Sequence, residues 1–197
     1  MKDIPMLETT LSGIPLRFGT APSLFSPNDV DAGTRAMLQC AALSPEDKVL
    51  DLGCGYGPVG IYAAKVIGES RVTMCDNDPL AVRLSIANAA LNDVPGVRVL
   101  LSDGLRGIDD AGYTLILTNP PYHTDFSVAR HFIEKGFNRL AVGGRMTLVT
   151  KRLDWYRNKL TAIFGGANVR EIGGYNASLY YVMTAEKRGR DYANQKG

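Results

Sequence analysis

Residues 49–58 read Val49-Leu50-Asp51-Leu52-Gly53-Cys54-Gly55-Tyr56-Gly57-Pro58, and this decapeptide decides the fold. Val49-Leu50 is the apolar run of a buried strand. The alternate glycines behind it let the backbone turn tightly and come close to a ligand. Pro58 falls at the first position of the next helix, where a missing N–H costs nothing, and Gly68 stops that helix after Ile67. Strand, glycine loop and helix make the opening unit of a doubly wound α/β sheet.

Outward from that unit the alternation continues. The pattern predicts a second strand over 71–75, an alanine-rich helix over 80–92 capped by Asp78-Pro79, and a third strand over 97–101. The run Tyr113–Thr118 is apolar enough to be a central strand. A helix over 127–140, a break at Gly143-Gly144 and a fifth strand over 145–150 follow. After a helix over 155–164, two strands at 169–172 and 179–184 are separated only by Gly-Gly-Tyr-Asn-Ala-Ser. That link is too short for a parallel crossover, so the pair must be antiparallel. The expected architecture is a doubly wound, mostly parallel sheet with helices on both faces and a C-terminal antiparallel hairpin. Dinucleotide-binding dehydrogenases do not end in such a hairpin. Residues 1–45 read as an appendage packed on the core: a hairpin over 7–18 with Gly13 near its middle, then a helix over 30–43. Residues 46–186 form the main domain, and 187–197 a polar tail that frays.

Composition agrees with one folded domain. Of 197 residues, 45% are hydrophobic and 21% charged, enough for a core without a metal or disulfide staple. A net charge of +2 is too mild to argue for nucleic acid by itself, so local basic patches matter more. Cys40, Cys54 and Cys75 are odd in number and contain no C-x-x-C pair, which disfavours a zinc site and suits a reducing cytoplasm. The stretch from Met1 to Pro5 has no apolar run of a signal peptide, and no segment reaches the ~18 residues of a membrane span. A cytoplasmic protein without membrane or metal is expected.

Acidic residues at successive strand ends sharpen the glycine loop. Asp51 stands immediately before Gly53, Cys54, Gly55 and Gly57; a carboxylate there repels a pyrophosphate but suits the ammonium of a methionine moiety. This favours S-adenosyl-L-methionine over a nicotinamide dinucleotide. The second strand ends in Cys75-Asp76-Asn77-Asp78, at about the ~20-residue spacing where an acid meets a ribose diol. Asp76 can accept both ribose hydroxyls, with Asn77 beside it, whereas Asp78 is explained as a helix cap. The third strand ends in Ser102-Asp103-Gly104, where Asp103 either accepts from an adenine amino group or serves a turn.

The most specific feature is Asn119-Pro120-Pro121-Tyr122, directly after the fourth strand. Two prolines force a rigid loop at the sheet edge. An amine conjugated to a ring or carbonyl is a poor nucleophile, because its lone pair is delocalised. The Asn119 side-chain oxygen and the Pro120 carbonyl can each accept one N–H of such an amine, turning the lone pair toward a methyl donor. Tyr122 would stack on the planar acceptor.

Taken together, Asp51-Leu-Gly53-Cys-Gly55-Tyr-Gly57, Asp76, Asp103 and Asn119-Pro-Pro-Tyr122 closely resemble class I methyltransferases of the small-domain family. The resemblance spans about residues 16–186 and includes Phe25-Ser26-Pro27-Asn28-Asp29-Val30-Asp31-Ala32-Gly33-Thr34. That segment looks like the one preceding the core in ribosomal-RNA guanine-N2 methyltransferases. The resemblance implies a Rossmann-like seven-stranded sheet, S-adenosyl-L-methionine as cofactor, and RNA, as ribosomal RNA or a ribosomal particle, as partner. The same tetrapeptide serves protein-glutamine and DNA-adenine methyltransferases, so it identifies a planar amine and not which one. The small-subunit enzymes of bacteria carry a second, N-terminal methyltransferase-like domain, which has no counterpart in these residues.

Other residues admit two readings. His123 either touches substrate or is solvated, and His131 reads as structural. Lys151, Arg152, Arg157 and Lys159 cluster after the fifth strand with Trp155 and Tyr156 among them. They form either a phosphate-holding patch or a solvated helix face. Arg17, Lys187, Arg188 and Arg190 extend the patch only if the fold brings them there. The leading expectation is an N-methyltransferase of an exocyclic RNA base amine, guanine N2 first. Its alternatives are a protein-glutamine N-methyltransferase and a catalytically decayed fold that only binds RNA or protein.

Overall fold

A computed structural model describes residues 4–121, 126–175 and 180–189 of the chain. Strand β3 (Val49–Leu52) shows how the sequence builds its layers. Alternation sends Leu50 and Leu52 to one face of the sheet and Val49 to the other, and both faces are covered. Helix α2 (Pro58–Ile67) follows the glycine loop, with Gly57 as its cap at φ +98° and Gly68 ending it, as the sequence predicts. Next come β4 (Val72–Asp76), α3 (Pro79–Leu91), β5 (Arg98–Leu101) and β6 (Tyr113–Thr118). The chain closes with α4 (Ser127–Arg139), β7 (Leu140–Thr150), α5 (Leu153–Phe164), β8 (Val169–Tyr175) and β9 (Tyr180–Glu186).

The seven strands lie in the order β5-β4-β3-β6-β7-β9-β8. All neighbours pair in parallel except β9, which slots antiparallel between β7 and β8. The expected hairpin is therefore present, and only its second strand runs against the sheet. Helices α2 and α3, with α1 (Ala32–Cys40), cover one face. Helices α4 and α5 cover the other through Phe132, Ile133, Leu160 and Phe164. Among the described residues no helix is long and apolar enough to cross a membrane.

Several expected boundaries shift. The break at Gly143-Gly144 lies inside β7, which starts five residues earlier than expected, at Leu140. Gly143 at φ +82° makes an irregularity that the strand absorbs, its N–H donating to Lys187 at 2.7 Å. The helix expected over 30–43 is shorter, because the Asp31 side chain accepts the Thr34 N–H and fixes its start at Ala32. At the other end the chain leaves the helix at Ala41, ψ 88°. Gly173, Gly174 and Tyr175, expected as linker, continue β8; residues 176–179 and 190–197 lie outside the described residues.

The N-terminal hairpin joins β1 (Met6–Leu11) to β2 (Ile14–Gly19). Ser12 and Gly13, both at positive φ, form the two-residue turn that matches strand twist. One buried side chain welds it to the core. Asn88 accepts the Gly19 N–H at 2.7 Å and donates to the Gly19 and Tyr56 carbonyls at 2.9 and 2.8 Å. Asn88→Ala strands three buried backbone groups, so urea unfolding should show a loss of about 3 kcal/mol. A loss below about 1 kcal/mol would show that water replaces the amide there.

Candidate active site

The C-terminal ends of β3, β4, β5 and β6 open on a cleft of about 430 Å³. Strand order reverses at β3, with β4 on one side and β6 on the other. Open α/β sheets bind ligands at this switch point, since the flanking loops diverge there.

The glycine loop forms one wall. The Gly53 and Cys54 N–H groups both donate to the Cys75 carbonyl at 2.9 Å, tying the loop to β4. Gly55 has φ +57°, and nothing lies within 4 Å of where its Cβ would stand, so the backbone itself borders the cleft. Burial pushes the Cys54 thiol well up, which keeps it neutral; it packs against the Ser85 hydroxyl at 3.5 Å. Cys54 fills space in the loop and is no nucleophile.

Asp51 lies at the cleft floor, 2% exposed, and its Oδ2 accepts the Gly60 N–H at 2.8 Å. Burial pushes its carboxyl up to about 7, against that hydrogen bond and with the Asp76 charge adding to the rise. A buried acid on the wall of a cleft is a site for a cation. Asp76 closes β4, with one oxygen accepting the Gly55 N–H at 2.8 Å and the other the Asp78 N–H at 3.0 Å. These bonds fix both oxygens at the cleft while each keeps a lone pair. Asp78 caps α3 through the Leu80 N–H at 2.8 Å, as predicted, and lines the cleft with Asn77. Asp103 also reaches the cleft, but its side chain is 64% exposed and paired with Arg106.

Gly104 leaves no room for a side chain, because a Cβ there would stand 2.6 Å from His131 Cδ2. His131 Nε2 accepts the Leu105 N–H at 3.2 Å, and burial lowers its pKa, so the ring is neutral and structural as expected. Asn119, Pro120 and Pro121 line the cleft opposite Asp76. Tyr122 and His123 lie outside the described residues.

Sequence reasoning missed the partners of Asn119. Its Nδ2 donates to Asp31 Oδ2 at 3.1 Å and to Thr34 Oγ1 at 2.9 Å. Both acceptors sit at the start of α1, in the segment read as an appendage, and both line the cleft with Ser23 to Ser26. The segment was visible only through its resemblance; no spacing rule links residue 31 to residue 119. Val128 and Phe132 of α4 complete the lining, and they look from sequence like ordinary core positions.

The basic cluster divides. Arg157 is paired with Asp154 at 3.3 Å and Glu171 at 2.9 Å, and Lys159 with Glu134, so neither forms an open patch. Lys151 and Arg152 are exposed just beyond β7; Lys151 lies over the Tyr180 ring, 4.6 Å from its centroid. Neither is among the residues lining the cleft. Trp155 stacks on Phe126 at 4.2 Å. Lys187 donates to the Leu140 carbonyl at 2.8 Å, at the opposite edge of the sheet, and Arg17 bonds Asn92 beyond the far end of α3. These do not extend the patch, because β9 and α3 both run away from the cleft.

Comparison with known proteins places these features among relatives. The family model described as methyltransferase small domain matches residues 15–177. The chain is 33% identical over 171 residues to ribosomal RNA small subunit methyltransferase C of Pseudomonas putida strain GB-1, covering 83% of this chain and 50% of that protein. It is 30% identical to the uncharacterized protein YbxB of Bacillus subtilis, over 86% of this chain and 85% of that one. The solved Thermus thermophilus 16S rRNA N2 G1207 methyltransferase, in complex with AdoMet and guanosine, superposes with a TM-score of 0.84 at 27% identity. That superposition covers 93% of this chain and 50% of the Thermus chain. The chain thus spans about half the length of the named ribosomal RNA methyltransferases it matches.

Proposed function

The chain belongs to the methyltransferase small-domain family, and from that premise we propose that it is an S-adenosyl-L-methionine-dependent N-methyltransferase acting on the exocyclic amine of an RNA base, guanine N2 of ribosomal RNA first. The observation that carries this reading is one cleft holding a buried acid, Asp51, a strand-end acid, Asp76, and the Asn119-Pro120-Pro121 segment. The Pseudomonas and Thermus relatives, both named for ribosomal RNA, support the choice of acceptor.

The cleft fits the cofactor. Asp51 takes the methionine ammonium as a buried counter-ion, and the open backbone at Gly55 leaves room beside it. Gly53, Cys54 and Gly57 shape that loop. Asp76, with Asn77, receives the ribose hydroxyls, and Asp103 with Gly104 borders the adenine. When bound, S-adenosyl-L-methionine supplies a methyl group on a sulfonium, already activated for transfer to nitrogen.

The protein's part is to prepare the acceptor. Asn119 Oδ1 and the Pro120 carbonyl each take one N–H of the amine, which localises its lone pair and stabilises the positive charge that grows on nitrogen. Neither proline offers a competing N–H. Tyr122 stacks on the base, a contact worth ~1–3 kcal/mol. Pro121 holds the turn rigid, His123 follows Tyr122 at the substrate edge, and Lys151 and Arg152 meet the phosphates. Three cysteines, two of them buried, suit a cytoplasmic protein.

The test is methyl transfer from labelled S-adenosyl-L-methionine to total RNA and to ribosomal particles from a strain lacking the gene. Label recovered as N2-methylguanosine is the expected result. Label entering a protein fraction instead would move the acceptor to glutamine. Cofactor binding with no labelled product in any fraction would mark a decayed enzyme.

A further inference from the structure

We propose that Asp31 and Thr34 are positioning residues that hold the Asn119 amide in its catalytic orientation, and that Tyr180 holds Asp31 in turn. The inference rests on the methyltransferase reading of the cleft. An asparagine amide has two ends of nearly equal size and opposite polarity. A half-turn about its last bond would replace the acceptor Oδ1 by a donor and abolish the clamp on the amine. The clamp therefore needs something that distinguishes the two ends.

Two acceptors on the α1 side do so. Asp31 Oδ2 and Thr34 Oγ1 receive the two Nδ2 hydrogens at 3.1 and 2.9 Å. A turned amide would press Oδ1 against a carboxylate oxygen, acceptor against acceptor. Asp31 is itself immobilised. Its Oδ2 also accepts the Thr34 N–H at 3.1 Å, and its Oδ1 accepts the Tyr180 hydroxyl at 3.0 Å. Gly33 permits this packing, since a Cβ there would stand 2.7 Å from Tyr180 Cδ1 and 2.9 Å from Asp31 Oδ2. A plain helix cap needs only the bond to Thr34. The bonds to Asn119 and Tyr180 span 88 and 149 residues of sequence and serve no cap.

The geometry separates positioning from charge. In Asp31→Asn, the new amide oxygen can still accept from Thr34 and Asn119, while its NH2 donates to the Tyr180 oxygen. In Asp31→Ala both functions are gone. Thr34→Val keeps the buried shape and removes one acceptor. The experiment measures kcat and KM on whichever acceptor the wild type labels, cofactor affinity by calorimetry, and the Asn119 side-chain amide signals by NMR. Asp31→Ala should lower kcat roughly 30- to 100-fold, the size expected when a catalytic group loses its aim. KM and cofactor affinity should stay within about threefold, and the amide signals should shift toward those of a mobile side chain. Thr34→Val should lower kcat in the same direction with the fold intact, and Asp31→Asn should recover to within about tenfold of wild type.

Asp31→Ala with unchanged kcat and unchanged Asn119 signals would overturn the proposal. Asp31→Asn as inactive as Asp31→Ala would also overturn it, because the charge and not the geometry would then be at work. If the wild type labels no acceptor, the functional reading fails. The amide signals of the three variants then still decide whether Asp31 and Thr34 orient Asn119.

Discussion

Asn119→Ala lowers single-turnover methyl transfer by about 100- to 1000-fold at saturating cofactor; this is the expected result of removing one preorganised polar group aimed at developing charge. The expectation follows from the double role of the side chain. On one side its Nδ2 is fixed by Asp31 and Thr34. Its Oδ1 supplies one of the two acceptors that localise the amine lone pair. Alanine removes the acceptor and leaves the delocalised, weakly nucleophilic amine unaided. Cofactor affinity should change less than tenfold, since Asp51 and Asp76 remain in place. Loss of two hydrogen bonds to α1 should cost about 1–2 kcal/mol of stability, too little to unfold the protein. Quench-flow measurement of product formation, beside calorimetric titration of cofactor, separates the two effects. A variant within tenfold of the wild-type rate would remove Asn119 from the chemistry and leave the turn a spacer.

The second large effect concerns Asp51. Its carboxyl, about 7 in the folded protein against 3.8 in an unfolded chain, binds a proton in the fold that the unfolded chain releases. Stability from this group therefore falls as pH rises from about 4 to about 7, and the full cost, about 4 kcal/mol, applies above 7. Cofactor affinity should run the other way, because the methionine ammonium prefers the ionised acid. From pH 5 to pH 7 affinity should rise about 10- to 50-fold, while the α-amino group of the ligand, pKa about 8, stays charged throughout.

Asp51→Asn tests both halves at once. The amide oxygen can keep the Gly60 N–H, but the charge is gone. At pH 8 the ligand-free variant should be more stable than wild type by about 1–3 kcal/mol, the removed cost less what a buried NH2 forfeits. Its cofactor affinity should fall about 10- to 100-fold and lose its pH dependence. Urea unfolding and calorimetry at pH 5, 6, 7 and 8 measure these. A variant that is destabilised, or whose affinity still rises with pH, would show that Asp51 serves the fold and does not meet the cofactor. The opposition of stability and function is what a binding site built around a buried charge requires.

Much of the fold was legible in residue order because its causes are local. Apolar runs in β3 and Tyr113–Thr118, Pro58 at the start of α2 and Gly68 at its end, and Asp78 at the cap of α3 each act within a few residues. The strand-end acids and the Asn119-Pro120-Pro121 segment were legible for a related reason: a parallel sheet brings the C-terminal ends of its strands to one edge. The expected start of β7 failed because a long-range partner decided it. Gly143 reads as a break, yet its bond to Lys187 holds it within β7.

The sequence by itself determined the layered α/β plan, the glycine loop, the acids that face it and the proline segment that follows β6. Only the tertiary structure decided that Asp31 and Thr34 grip Asn119, that Tyr180 braces Asp31, and that Arg157 and Lys159 are consumed by acidic neighbours. It also decided that burial, and not a nearby charge alone, raises Asp51 to about 7. The physical reason is range. Turns, caps and strand alternation are fixed by neighbours along the chain, whereas side-chain partners and desolvation are set by which distant segments the fold stacks together.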